Sequence, residues 1–207
     1  YRQHRRLTDA GIRVSRPWLT QLMQSSVALL EPIYDAQLDS IRTSRVKAMD
    51  EVPIKAGRTG PGKMKTTYFW PIYGERDEIC FTHSSGRAGA HVRDMLGLLP
   101  PDDGVLLSDG YAVYTSYARQ VGLTHAQCWA HARREVFEAK DIEPAHAETA
   151  LAFIARLYEV EADIRKNDLN GAARCAWRQT YARPVAQRFF QWVDQYFEAQ
   201  GFLPRSP

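Results

Sequence analysis

Two aspartates stand where this sequence is best placed to do chemistry. Asp109 closes the apolar run Gly104-Val105-Leu106-Leu107-Ser108 and is followed by Gly110 and Tyr111. A short apolar run bounded by turn residues fits a strand buried on both faces of an α/β sheet, and ligands collect just outside the carboxyl ends of such strands. The same pair also suits a plain turn, with Asp109 accepting a backbone N–H and Gly110 supplying a positive φ. Asp50 lies within Arg45–Ile54, which alternates apolar and polar residues as a strand does. Neighbouring strand residues point to opposite faces, so of Asp50 and Glu51 only Asp50 shares a face with Val46 and Ala48. A carboxylate among inward-pointing positions is costly unless it is paired, protonated or bound to a metal. Two aspartates at neighbouring strand ends would hold Mg²⁺ or Mn²⁺, hard ions that take oxygen ligands. A pair of such ions about 4 Å apart serves phosphoryl transfer by activating the attacking oxygen and stabilising the leaving one.

Other residues set the electrostatic and redox frame. The formal net charge is only +3, but arginines crowd residues 1–16, Arg58, Lys63 and Lys65 share one glycine-rich stretch, and Arg133 and Arg134 are adjacent. Clustered cations are a footprint for phosphates, and Lys63, Lys65, Arg133 and Arg134 are the candidate phosphate contacts. The glycine-rich stretch is no phosphate-binding P-loop, because no Gly-Lys-Ser/Thr opens a helix after it. Three scattered cysteines, Cys80, Cys128 and Cys175, form no disulfide framework and suit a reducing cytoplasm. Cys128 and His131 make a Cys-x-x-His pair, but zinc needs about four ligands and no second pair is evident, which favours a structural histidine at a helix start.

The elements that must position these residues are legible in outline. The composition, 44% hydrophobic and 25% charged over 207 residues, is that of a globular protein, and no apolar stretch is long enough to span a membrane. Residues 1–43 read as helical, with Ser15 as an N-cap, Pro17 in the first turn and Pro32 as a kink or break. Leu19, Leu22, Met23, Val27, Leu30, Tyr34, Leu38 and Ile41 recur at helical spacing in that segment. It matches either the end of a helix-turn-helix or an ordinary α-hairpin. Three strands follow (45–54, 66–73 and 78–83) as an antiparallel meander, with Pro71 marking an edge or a bulge. A helix over 85–98, the Asp109 strand, a helix over 114–121 and a fifth strand over 124–129 complete the order β-β-β-α-β-α-β. The crossover makes the Asp109 strand parallel to an earlier one. That is the order of the ribonuclease H-like fold, in which the first strand lies beside the fourth. Helices then occupy 130–139, 144–165 and 175–200, the last interrupted at Pro184 and capped by Gly201.

The resemblance that joins these signals is to transposases of the insertion-sequence 66 family. Asp50-Glu51-Val52-Pro53-Ile54-Lys55 with Gly62-Lys63-Met64-Lys65-Thr66 resembles the family's first catalytic segment, and Asp109-Gly110-Tyr111 with Tyr114 resembles the second. Cys128-Trp129-Ala130-His131-Ala132-Arg133-Arg134 with Phe137 is similar to the signature after the fifth strand, and Gly11-Ile12-Arg13-Val14-Ser15 to the segment before the catalytic domain. The resemblance implies an Asp-Asp-Glu transposase that cleaves a phosphodiester at an element end and joins the freed 3′-hydroxyl to target DNA. It makes Asp50 and Asp109 the catalytic, metal-holding aspartates, with two Mg²⁺ or Mn²⁺ ions in the complete enzyme. It implies double-stranded DNA as partner, a homo-oligomer on that DNA and a bacterial, nucleoid-associated location. The family's glutamate belongs to a later motif that nothing here matches. With a first residue other than methionine and a last stretch that reads as a cut loop, the chain is expected to be a fragment, inactive by itself. The organisation expected is a helical segment over 1–43, a ribonuclease H-like core over 44–143 and a truncated helical insertion over 144–207. Two rivals are a ribonuclease H-like nuclease with its own third acid and a non-catalytic DNA-binding or assembly remnant of a degenerate element.

Overall fold

A computed structural model of the chain describes residues 2–60 and 62–200, the side chains of 57–59 and 199–200 excepted. The contacts divide it into two compact units, Tyr1–Gln127 and Cys128–Pro207.

The first unit is a mixed sheet packed against helices. Helix α1 (Arg2–Asp9) leads to α2 (Arg16–Thr43), whose N-cap Ser15 accepts a hydrogen bond from Trp18 N at 3.2 Å with Pro17 in the first turn. Pro32 sits inside α2 without dividing it. The strands are β1 (Val46–Met49), β2 (Val52–Gly60), β3 (Lys63–Tyr73), β4 (Ile79–Ser84), β5 (Val105–Ser108) and β6 (Thr124–Gln127). Helix α3 (Gly89–Leu96) crosses from β4 to β5, and α4 (Ala112–Val121) from β5 to β6. Strand β3 pairs antiparallel with β4 on one edge and with β1 and β2 on the other. β1 continues into the parallel pairs β1–β5 and β5–β6.

Several expectations change here. The strand read over 45–54 is two strands, parted at Asp50-Glu51. Their register on β3 is nonetheless continuous: Met49 faces Ile72 and Val52 faces Phe69, which sets Asp50 and Glu51 opposite Pro71 and Trp70. Asp50 N donates to Pro71 O at 3.3 Å, but Pro71 has no N–H to return, so the ladder lapses at the acids. Pro71 is therefore neither at an edge nor in a bulge. It lies where β3 is paired with β4 and opposite the parting of β1 and β2. The stretch read as a loop over 56–65 is the tip of the β2–β3 hairpin, with register shifts between Lys55 and Gly60 and a positive φ of 74° at Gly62. The enclosed face of β1 is that of Lys47 and Met49, not that of Val46 and Ala48. Nor is β5 buried on both faces: Leu106 and Ser108 are buried, whereas Val105 and Leu107 are half-buried.

The core gathers Met49, Trp70, Ile72, Cys80 and Leu106 of the sheet under Leu38 and Ile41 of α2, Val92, Met95 and Leu96 of α3, and Tyr114, Tyr117 and Ala118 of α4. Of the apolar stripe read in α2, only Leu38 and Ile41 are buried; Leu22, Met23, Val27, Leu30 and Tyr34 are exposed. Lys47, almost fully buried, donates from Nζ to Arg42 O at 2.7 Å, a cation at the carboxyl end of a long helix.

The second unit is helical: α5 (Trp129–Glu138), a 3₁₀ turn (Ala139–Asp141), α6 (Pro144–Lys166), α7 (Gly171–Trp177), a π-helical turn (Arg178–Ala182) and α8 (Arg183–Gln200). Pro184 lacks the N–H for an i→i−4 bond, and the chain widens into the π turn just before it. Trp129, Phe153, Phe189, Phe190 and Trp192 pack with ring centroids 5.3–6.2 Å apart. Arg178 makes two 2.7 Å hydrogen bonds to Glu161 of α6. The cap read at Gly201 lies outside the described residues. Among those described, no helix is long and apolar enough to cross a membrane.

Candidate functional site

The register of the central parallel pair brings the two aspartates level. Val46 faces Val105, Lys47 faces Leu106 and Ala48 faces Leu107, an offset of 59 positions; carried two residues further, it sets Asp50 beside Asp109. Adjacent strands lie about 4.8 Å apart, so side chains level with each other and on one face converge. Oxygens of Asp50, Glu51 and Asp109 all lie within 4.8 Å of one another. Each aspartate is oriented by a backbone donor: Glu51 N donates to Asp50 Oδ1 at 2.8 Å, and Tyr111 N to Asp109 Oδ1 at 2.9 Å. The turn reading of Asp109 and the convergence of the acids thus hold together. Gly110 does not have a positive φ, however, and a Cβ there would meet nothing within 4 Å.

The carboxyl end of β5 is itself pinned. The hydroxyl of Ser108 lies 2.8 Å from His125 Nε2, and His125 Nδ1 lies 3.1 Å from the hydroxyl of Thr115. This chain of polar groups ties β5, β6 and α4 together beside Asp109.

Glu51 is the member that strand alternation set aside, yet its side chain is only 4% exposed. The phenol of Tyr114 donates to its Oε2 at 2.5 Å, and Arg87 Nη2 donates to its Oε1. Tyr114 is fully buried between Trp70 and Tyr111, ring centroids 6.4 and 6.1 Å away. Burial first, then the hydrogen bond to Glu51 and that residue's charge, push its phenol far above the usual tyrosine range. Arg87 lies over the Tyr111 ring at 4.4 Å and the Tyr68 ring at 5.8 Å. Its own carbonyl accepts from the Tyr111 hydroxyl at 3.1 Å. Sequence spacing gave no signal for Arg87, because the contact joins positions 36 residues apart. Glu51 did carry one: it continues the Lys47, Met49 alternation, which is the buried phase.

The donor set suits a hard divalent cation. Oxygens across an octahedral Mg²⁺ stand about 4.2 Å apart, twice a bond of about 2.1 Å. The 4.8 Å limit exceeds that by roughly 0.6 Å, a small side-chain adjustment. Two of the other sequence candidates lie farther along the same sheet. Lys63 and Lys65 are exposed on the outer arm of β3. Counted from Phe69, which pairs with Val52 beside the acids, they are six and four residues away, ~20 and ~14 Å along the strand. Arg133 and Arg134 are exposed neighbours on α5, in the second unit. Cys128 and His131 are half-buried at the start of α5, and among the described residues no third His, Cys, Asp or Glu joins them as a metal cluster.

The model of the transposase IS66 family matches residues 1–206. The chain belongs to the IS66 transposase family. Relatives in Sinorhizobium fredii (strain NBRC 101917 / NGR234) include three uncharacterized proteins. Over 220 residues the chain is 24% identical to y4qI, covering 97% of this chain and 40% of that protein. It is 28% identical to y4hP over 221 residues, covering 94% and 38%. It is 26% identical to y4jD over 203 residues, covering 91% and 39%. The chain thus spans about two-fifths of the length of these relatives.

Proposed function

We propose that this chain supplies the aspartate pair of a DNA transposase, with Asp50 and Asp109 holding Mg²⁺ or Mn²⁺ in a ribonuclease H-like core. The observation that carries the reading is the convergence of Asp50 and Asp109 from adjacent parallel strands, in a chain of the IS66 family. The sheet order supports the fold: β4, β3, β1 with β2, β5 and β6 place the first strand beside the Asp109 strand, as a ribonuclease H-like core requires. In this reading residues 1–43 are a helical DNA-binding segment, 44–143 the catalytic core and 144–207 a helical insertion.

Divalent ions bound at such a site make water a nucleophile at neutral pH and neutralise charge on the phosphoryl oxygens. The protein's own part is positional. The backbone N–H groups of Glu51 and Tyr111 orient the aspartates, and the Ser108–His125–Thr115 chain fixes the strand end that carries Asp109. Lys63, Lys65, Arg133 and Arg134 serve as contacts to the DNA backbone, and the protein acts as a homo-oligomer on the bacterial nucleoid. The family's glutamate is supplied by a later segment than those matched here, so the activity belongs to the intact protein.

Asp50→Asn and Asp109→Asn test this. Each removes a charge worth several kcal/mol to a bound transition state, so cleavage of element-end DNA by the intact protein falls by more than about a hundredfold. Mn²⁺ binding, followed by electron paramagnetic resonance, is lost in parallel. Full cleavage by either variant would overturn the reading.

A second reading, a nuclease with its third acid within this chain, is favoured by Glu51 alone. Both Glu51 oxygens are occupied, by Arg87 and Tyr114. Mn²⁺-dependent nicking by this chain, abolished by Glu51→Gln, would support that alternative.

A further inference from the structure

We propose that Arg87 receives the DNA phosphodiester at the aspartate pair, and that Glu51, Tyr111, Tyr114 and Tyr68 form the frame that aims it. The proposal rests on the metal-site reading of Asp50 and Asp109.

The frame is over-determined. Trp70 Nε1 donates to Ser84 Oγ at 2.7 Å, and that hydroxyl donates to Gly86 O at 2.6 Å, fixing the loop that leads to Arg87. Tyr111 holds the Arg87 carbonyl with its hydroxyl and one face of the guanidinium with its ring. The guanidinium thus lies over the Tyr111 ring, with Nη2 turned to Glu51.

A counter-ion for Glu51 would explain one contact and nothing more. A guanidinium has five N–H donors, and among the described residues only Nη2 has an acceptor. The side chain remains 42% exposed, unlike the glutamate it neutralises. The Tyr111 ring lies against the guanidinium, and the N–H donors not used by Glu51 can meet a phosphate in the bidentate manner. With Glu51 already neutralised, the remaining donors are left for an anionic ligand. That ligand can approach only once the aspartates are neutralised by metal.

The proposal therefore predicts a metal-gated contact. The intact protein is titrated with a random 20-base-pair duplex at several salt concentrations, in Mn²⁺ and in EDTA. Two variants are used: Arg87→Lys, which keeps the charge but loses the stacked fork, and Glu51→Gln/Arg87→Gln, which replaces the pair by neutral groups of similar size. In Mn²⁺, both bind the duplex three- to tenfold more weakly, and the double variant lowers the salt slope by about one. In EDTA both match the unaltered protein. Mn²⁺ affinity is unchanged in Arg87→Lys, and the double variant, which removes one charge of each sign, still holds Mn²⁺. Unchanged DNA binding and slope in both variants, with Mn²⁺ still held, would reduce Arg87 to a structural counter-ion. An equal loss in EDTA, or no duplex binding by the unaltered protein, would also overturn the proposal. Failure of the metal-site reading shows separately, as Mn²⁺ binding that survives Asp50→Asn and Asp109→Asn.

Discussion

Burial of phenols gives this protein a specific alkaline weakness. Tyr117 is almost fully buried in the core, and its hydroxyl donates to Gly97 O at 2.8 Å. Burial pushes its phenol up to about 12, and Tyr114 is driven higher still by burial and by Glu51. A group whose folded pKa is raised keeps its full contribution below the unfolded value, near 10, and loses it as pH rises through the folded value. For Tyr117 that contribution is given up between about pH 10 and 12. Urea unfolding at stepped pH should show stability falling through that window. Tyr117→Phe should be about 1 kcal/mol less stable at pH 8, from the lost hydrogen bond, but should fall less steeply above pH 10. An unchanged slope in Tyr117→Phe would remove Tyr117 from this account.

At the scale of elements, Pro71 ties strand pairing to the acids. Asp50 and Pro71 occupy a ladder position at which two residues would exchange both hydrogen bonds, and proline can make only one. The gap frees Asp50 and Glu51 from the pleat and lets side chains that start on opposite faces converge with Asp109. Pro71→Ala returns the missing N–H. It should close the ladder, leave the melting temperature equal or higher, and weaken Mn²⁺ binding several-fold as the acids are drawn back into register. Undiminished Mn²⁺ affinity would show that the gap is incidental.

The same region marks how far the sequence could be read. The alternation in 45–54, the apolar run ending at Asp109 and the crossover rule were enough to set Asp50 beside Asp109. They are local patterns and a topological constraint, and each acts over few residues. Proline at position 71 was legible as a disturbance, but what it disturbed was not, because the broken bond belongs to the partner strand. Glu51 was misjudged because the buried face of β1 carries Lys47, a residue whose type argues for solvent. Lys47 is tolerated there because its ammonium reaches the last turn of α2, and burial lowers its pKa, partly offset by Glu75. The apolar stripe of α2 was legible as a helical face, but of its residues only Leu38 and Ile41 are buried; periodicity reveals a face but not what covers it.

Across the molecule, cations are spread so that DNA contacts should be separable by distance from the acids. Lys63 and Lys65 stand ~20 and ~14 Å along β3 from the level of Val52, and both project from the exposed arm. Duplex DNA rises about 3.4 Å per base pair, so contacts at that reach fall about four to six base pairs from the scissile phosphate. Arg87, in contact with Glu51, belongs within the first base pair or two. On a duplex that extends ten or more base pairs past the cleavage position, Lys63→Ala/Lys65→Ala should lower the salt slope of binding by about two, close to one per lysine. On a duplex cut back to three base pairs on that side, the same variant should bind as the unaltered protein does. Cleavage chemistry, measured in single turnover on saturating long duplex, should be unchanged, because neither lysine reaches the aspartates. If the double variant loses affinity equally on long and short duplexes, the lysines act through the general field of the protein rather than through contacts at a fixed reach. The hairpin arm would then play no part in placing DNA over Asp50 and Asp109.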